Sequence, residues 1–137
     1  MRNSGLRYRF AGAVALGGVM LIAGPAITQD LNSLTVSQLM QELIVPTTTA
    51  LWGAYDVQTD AQWQELESAA NRLIQAGELL RSGGAAATDR AIAANEDWQE
   101  FSNQMLAASR GALEAIRSRN EEALSSVGND ELYPPCE

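Results

Sequence analysis

The sequence predicts an all-α fold: an antiparallel up-and-down four-helix bundle preceded by an N-terminal signal segment. Apolar residues recur at alternating three- and four-residue steps over long stretches, which is the seam of a packed helix. Capping signals stand immediately before two of those stretches. No period-two strand pattern appears. With 46 % hydrophobic, 19 % charged and only 6 % aromatic residues in 137, the chain affords a helical core.

The N-terminus comes first. Arg2, Arg7 and Arg9 form a positive region, and Ala11 to Ala23 is an apolar run of signal-peptide length. Small residues at Gly24 and Ala26 supply a cleavage point, so residues 1–26 read as a signal peptide and 27–137 as the bundle domain. The other reading is an uncleaved anchor, since Phe10 to Ile27 approaches spanning length. No Cys follows the run, so a lipoprotein is not indicated. Export places the protein in the periplasm, membrane-anchored if the segment is kept.

The first helix opens at Thr35, with Gln38 at capping-box spacing and Leu34 placed to staple onto Leu39. Val36, Leu39, Met40, Leu43 and Ile44 form its apolar face. Pro46 lacks an N–H and is expected to kink or end it, with Thr47, Thr48 and Thr49 serving backbone groups at the break. The second helix opens at Thr59 and Gln62 and carries Trp63, Leu66, Ala70, Leu73, Gly77 and Leu80 in strict 3-4 order. Gly77 leaves room for a neighbouring helix or a flat ligand. Gly83 and Gly84 stand where a left-handed residue ends a helix.

A short loop rich in Ala and Thr is expected next. The third helix then shows Trp98, Phe101, Met105, Ala108, Ala112 and Ile116, with Asn95, Glu96 and Asp97 near its positive end. The fourth begins near Ser118 or Asn120 and continues through Leu124, Val127 and Leu132. The stretch from Asn129 to Pro135 reads as poor helix. Short connections make neighbouring helices antiparallel.

Composition narrows the function. All 9 basic residues are Arg, there is no His, and the net charge is −8. Leaving out the three N-terminal Arg sets 6 basic against 17 acidic residues, near −11. Nucleic acid is not a partner of such a surface, because phosphate binding needs clustered cations. Without His, Ser-His-Asp and Cys-His catalysis and imidazole metal sites are absent from these residues. Nothing assembles a nucleophile with a positioned base, so no enzyme is predicted. The lone Cys136 has no internal disulfide partner. Met40 and Met105 read as core filler, and Trp52, Trp63 and Trp98 as core anchors whose indole N–H finds a partner. Asp56, Asp60, Glu65 and Glu67 read as a solvated helix face.

The run Tyr133-Pro134-Pro135-Cys136-Glu137 on the last helix is the informative one. Together with the export signal, the four amphipathic helices, Thr35-Val36-Ser37-Gln38-Leu39-Met40, Pro46, Leu51-Trp52 and Thr59-Asp60-Ala61-Gln62-Trp63, it resembles the cytochrome c′-like group of exported c-type cytochromes. The resemblance extends from about Thr35 to Glu137. It implies haem c attached to the fourth helix through a Cys-x-x-Cys-His motif, with electron transfer or small-gas binding as the function. Cys136 then corresponds to the first thioether cysteine and Glu137 to the first spacer. No residue here corresponds to the second Cys or the axial His, so the sequence reads as stopping inside the motif and carries no metal ligand of its own. Val36, Leu39 and Met40 lie in the stretch that covers the open face of the iron in that group. The implied partners are a redox protein or a small gas, and a homodimer is compatible with such a bundle. The alternative is a haem-free exported bundle that binds a partner protein or a small apolar ligand; a cleft beside the fourth helix, lined by the first and third, is the geometry the haem reading expects.

Overall fold

A computed structural model of the chain describes residues 30–137, and every regular element among them is helical. The signal segment predicted for residues 1–26 lies outside the described residues. None of the described helices is long and apolar enough to cross a membrane.

Helix α1 is one continuous run: Val36–Leu39, a π-helical segment Met40–Ile44, then Val45–Trp52. It starts on the predicted capping box, in which Thr35 and Gln38 each accept the other's backbone N–H through their side chains. Leu34 and Leu39, the two staple residues, are both buried. Pro46, expected to kink or end the helix, does not end it but stands just after a deformed turn. A proline removes one ladder bond and crowds the carbonyl four residues back. Here the turn before it is widened, so that the Val45 N–H donates to the Met40 carbonyl five residues back, and the chain passes Pro46 without breaking. The hydroxyls of Thr47, Thr48 and Thr49 then donate to the carbonyls of Leu43, Ile44 and Val45 at 2.7, 2.8 and 2.7 Å. The three threonines do serve the backbone, within a helix rather than at its end.

Helix α2, Asp60–Arg81, carries the second predicted capping box, Thr59 with Gln62. Each such cap contributes about 1 kcal/mol. The helix stops where Gly83 and Gly84 take φ of 83° and 59°. A side chain at Gly84 would also meet the Leu34 carbonyl, its Cβ lying 2.7 Å from that oxygen.

The expected Ala- and Thr-rich loop is in fact a short helix, α3, Ala87–Ala93. It buries only Ala93, which is why no periodic apolar signal announces it. Its role is tertiary. Asp89 Oδ2 accepts the Val36 backbone N–H at 3.3 Å, and the Ala85 N–H donates to the Leu34 carbonyl at 2.9 Å. An orphan donor at the start of α1 is thus satisfied from more than fifty residues away along the chain.

Helix α4, Glu96–Arg117, has Glu96 and Asp97 in its first turn, where negative charge suits the helix dipole. Helix α5, Glu121–Ser126, is capped by Asn120, whose side chain accepts the Ala123 N–H. It runs on as a π-helical segment, Val127–Leu132, and a 3₁₀ turn, Pro134–Cys136. The stretch from Asn129 to Pro135, read as poor helix, is an irregular run of π turn, bend and 3₁₀ turn.

Helices α2 and α4, each of 22 residues, run antiparallel as the central pair. Arg117 pairs with Glu67 and Arg110 with Glu78, both at 2.9 Å, and the Trp98 indole reaches the Leu80 carbonyl. These ion pairs are half exposed and add little stability. The closeness comes from small residues: Ala70, Ala76, Ala108, Ala112 and Ala115 are all buried between larger Leu73, Leu66 and Ile116. At Gly77 an added Cβ would lie 2.8 Å from Leu106 Cδ2 and 3.0 Å from Met105 Cε. A helix, not a flat ligand, takes the space beside Gly77.

Candidate ligand cleft

Beyond Gly77 the α2–α4 pair stops being filled by small residues, and a cleft of about 370 Å³ opens beside it. Its volume lies within the range of small-molecule sites. One wall is α1, through Val36, Met40 and Ile44. The opposite wall is α4, through Trp98, Phe101, Ser102 and Met105, with Leu80 of α2 at the base. Pro135 and Cys136, from the turn that follows α5, close the remaining side.

Each wall is held by a bond that local sequence does not announce. The Trp98 indole donates to the Leu80 carbonyl at 3.0 Å, tying the first turn of α4 to the last turn of α2. On the α1 wall, Asp89 fixes the helix start beside Val36, and the π turn that carries Met40 aims the face that follows. The C-terminal wall hangs on Trp52. Its indole donates to the Gly128 carbonyl at 3.0 Å, and the same carbonyl accepts the Tyr133 N–H at 3.2 Å. The Trp52 and Tyr133 rings meet edge to face at 6.2 Å, a favourable aromatic geometry. Gly128 is small because Trp52 lies on it: an added Cβ would stand 3.2 Å from Trp52 Cδ1. From Tyr133 the chain turns tightly, with the Cys136 N–H donating to the Tyr133 carbonyl at 3.0 Å.

The cleft has no charged lining residue. Cys136 is exposed as a residue, yet the groups around its thiol push its pKa up by desolvation, so it stands as a neutral thiol at neutral pH. Among the described residues no three His, Cys, Asp or Glu side chains converge as a metal site.

Of the residues singled out from sequence, Val36, Met40 and Cys136 meet on this cleft. Leu39 does not: it is fully buried at 0 % exposure, on the side of α1 turned inward. Met40 and Met105, read as filler, are cleft residues, although Met105 is also 4 % exposed core. Trp52 and Trp98 each find the hydrogen-bond partner expected of an anchor. Phe101, read as part of the third seam, is 51 % exposed at the cleft. Ile44, Leu80, Phe101 and Ser102 were not foreseen as site residues. Ile44 follows Met40 by one turn, and Ser102 precedes Met105 by three residues, so helical spacing from the known members was the available signal.

No protein-family model matches the chain, and no match to it was found among the curated proteins or the solved structures.

The donor set bears on the resemblance to c-type cytochromes. Apolar walls on two helices and a thiol at the mouth fit the wall and the first attachment point of a haem pocket. A second thioether cysteine and an imidazole ligand come from none of the 137 residues, which contain one Cys and no His.

Proposed function

We propose that the chain belongs to an exported, periplasmic c-type-cytochrome-like protein that transfers electrons or binds a small gas. In this reading α1, α2, α4 and α5 are the helices of an antiparallel four-helix bundle, and α3 is a connection that happens to be helical. One observation supports it most: Cys136 shares an apolar cleft with Val36 and Met40, about a hundred residues earlier in the chain. The resemblance pairs those same stretches across a haem.

Haem c, when bound, supplies the one-electron couple or the gas-binding iron. The chain's own residues supply the rest. Cys136 offers the first thioether attachment, and Val36, Met40 and Ile44 form an apolar wall that limits water. Trp98 holds the α4 wall by its bond to Leu80, and Trp52 holds the turn that carries Cys136. A bare apolar wall favours gas access, whereas a methionine sulfur turned to the metal favours electron transfer. The acidic surface suits a basic redox partner.

The test is the product of the complete gene, expressed in a host with c-type maturation. A Soret band that survives acid-acetone extraction, and is lost or halved in its covalent fraction in C136A, is the expected result. The codons after Glu137 are expected to read one residue and then Cys-His. A haem-free product from that host, or a different continuation, overturns the cytochrome reading and leaves a haem-free bundle that takes an apolar ligand.

A further inference from the structure

The cleft holds one polar side chain whose hydrogen bonding is unspent. Ser102 lines the cleft and is 4 % exposed. The other buried hydroxyl side chains return to a carbonyl one turn back: Thr47 to Leu43 at 2.7 Å, Thr48 to Ile44 at 2.8 Å and Ser109 to Met105 at 2.7 Å. Ser102 makes no such bond among the described residues, and no wholly enclosed side-chain polar atom there lacks a partner. Its hydroxyl is therefore not wholly enclosed, and Ser102 lines the cleft. A nearly buried hydroxyl that lines an apolar wall and keeps its donor free can bond to a polar group entering the cleft.

The surrounding surface narrows what that something is. Trp98 and Phe101 flank Ser102 on α4, and Met40 and Met105 bring polarisable sulfur to the same space. Aromatic and thioether walls favour flat, polarisable molecules. With no charged lining residue and a net charge of −8 on the chain, an anionic group entering the cleft would be desolvated without compensation.

We infer that the cleft binds the uncharged, planar part of a ligand and that Ser102 gives it its one hydrogen bond from the wall. The inference rests on the cleft being the ligand site of the proposed function, and does not depend on covalent attachment at Cys136.

The experiment uses the full chain without haem and two probes of nearly equal shape, 1-naphthol and 1-methylnaphthalene. Binding is followed by two-dimensional NMR, with the Trp98 indole and the Ser102 and Met105 amides as reporters. Both probes are expected to shift these signals. Ser102→Ala is expected to weaken 1-naphthol by about two- to tenfold, the size of one neutral hydrogen bond, and to leave 1-methylnaphthalene unchanged or tighter. Ser102→Leu, which fills the cleft, is expected to abolish both. An equal effect of Ser102→Ala on the two probes, no effect on either, or shifts centred elsewhere overturns the inference. Its failure is separable from that of the haem reading: extraction-resistant haem in the complete gene product with no discrimination by Ser102 sinks this inference alone, and the reverse pattern sinks haem attachment alone.

Discussion

Two stretches of the same helix pair behave in opposite ways. From Glu67 to Gly77 on α2, and from Met105 to Arg117 on α4, the facing positions are small, and the helices close onto each other around Leu73 and Ile116. At the other end the facing residues are Leu80, Trp98 and Phe101, and α1 with the C-terminal turn stands off across a cleft. Both ends carry the same 3-4 apolar repeat. The difference lies in side-chain volume: small residues fill the seam between α2 and α4, while Leu80, Trp98 and Phe101 present a larger face that α1 and the C-terminal turn cover only in part. Met105 marks the border, lying against the Gly77 position and lining the cleft at once. A closed end supplies stability, and an open end has room to bind.

That comparison is broken most directly by truncating one apolar side chain to alanine at each end. Leu73→Ala, at a residue with 0 % exposure, is expected to cost about 2–5 kcal/mol through lost transfer energy and a cavity that cannot collapse. Val36→Ala, on the cleft wall, is expected to cost about 1 kcal/mol or less, because its surroundings are already open. Urea unfolding of the two variants measures both, and equal losses would show that the cleft end is packed as tightly as the seam.

A smaller effect sharpens how the open end is held. Trp52→Phe keeps an aromatic side chain, smaller than the indole, and removes the donor to the Gly128 carbonyl. The expected loss is about 1 kcal/mol, with faster amide exchange at Tyr133 and Cys136 and no change at Leu73. Exchange that accelerates evenly across the chain would mean that Trp52 supports the whole fold and not the C-terminal turn.

The smallest effect is one of pH. Desolvation raises the Cys136 pKa in the folded chain, so the fold favours the neutral thiol. Its contribution to stability is complete below the pKa of the unfolded chain and is lost as pH rises through the higher folded value. Alkylation by iodoacetamide is therefore expected to reach its half-maximal rate at a higher pH in the folded protein than in urea. The opposite order would mean that the thiol faces water or a cation and not an apolar cleft.

Much of the helical layout was legible. The capping boxes at Thr35 and Thr59, the glycine stop at Gly83 and Gly84, and the seam of α2 are local signals that stand where they were read, and the seam of α4 does so from Met105 to Ile116. Other features needed more than the local pattern. Helix α3 carries no apolar period because its task is to give Asp89 to the Val36 N–H. Pro46 predicts a break only if the turn before it cannot widen. The irregular end of α5 persists because Trp52 reaches its Gly128 carbonyl from another helix. For α3 and for the end of α5 a partner distant in sequence outweighed a local rule, whereas at Pro46 the preceding turn widened locally.

The site divides the same way. Sequence by itself determined that the chain is helical, that its core faces follow the 3-4 repeat, and that His chemistry is absent from these residues. These are properties of spacing and composition, which need no knowledge of neighbours. Only the tertiary structure decided that Leu39 turns inward while Val36 and Met40 turn to a cleft, that the Trp98–Met105 face is a wall as well as a core, and that Ser102 keeps its hydroxyl free. An apolar residue at helical spacing looks the same whether another helix covers it or a cavity does. What distinguishes the two is the volume standing opposite, and that is set by residues far away in the chain.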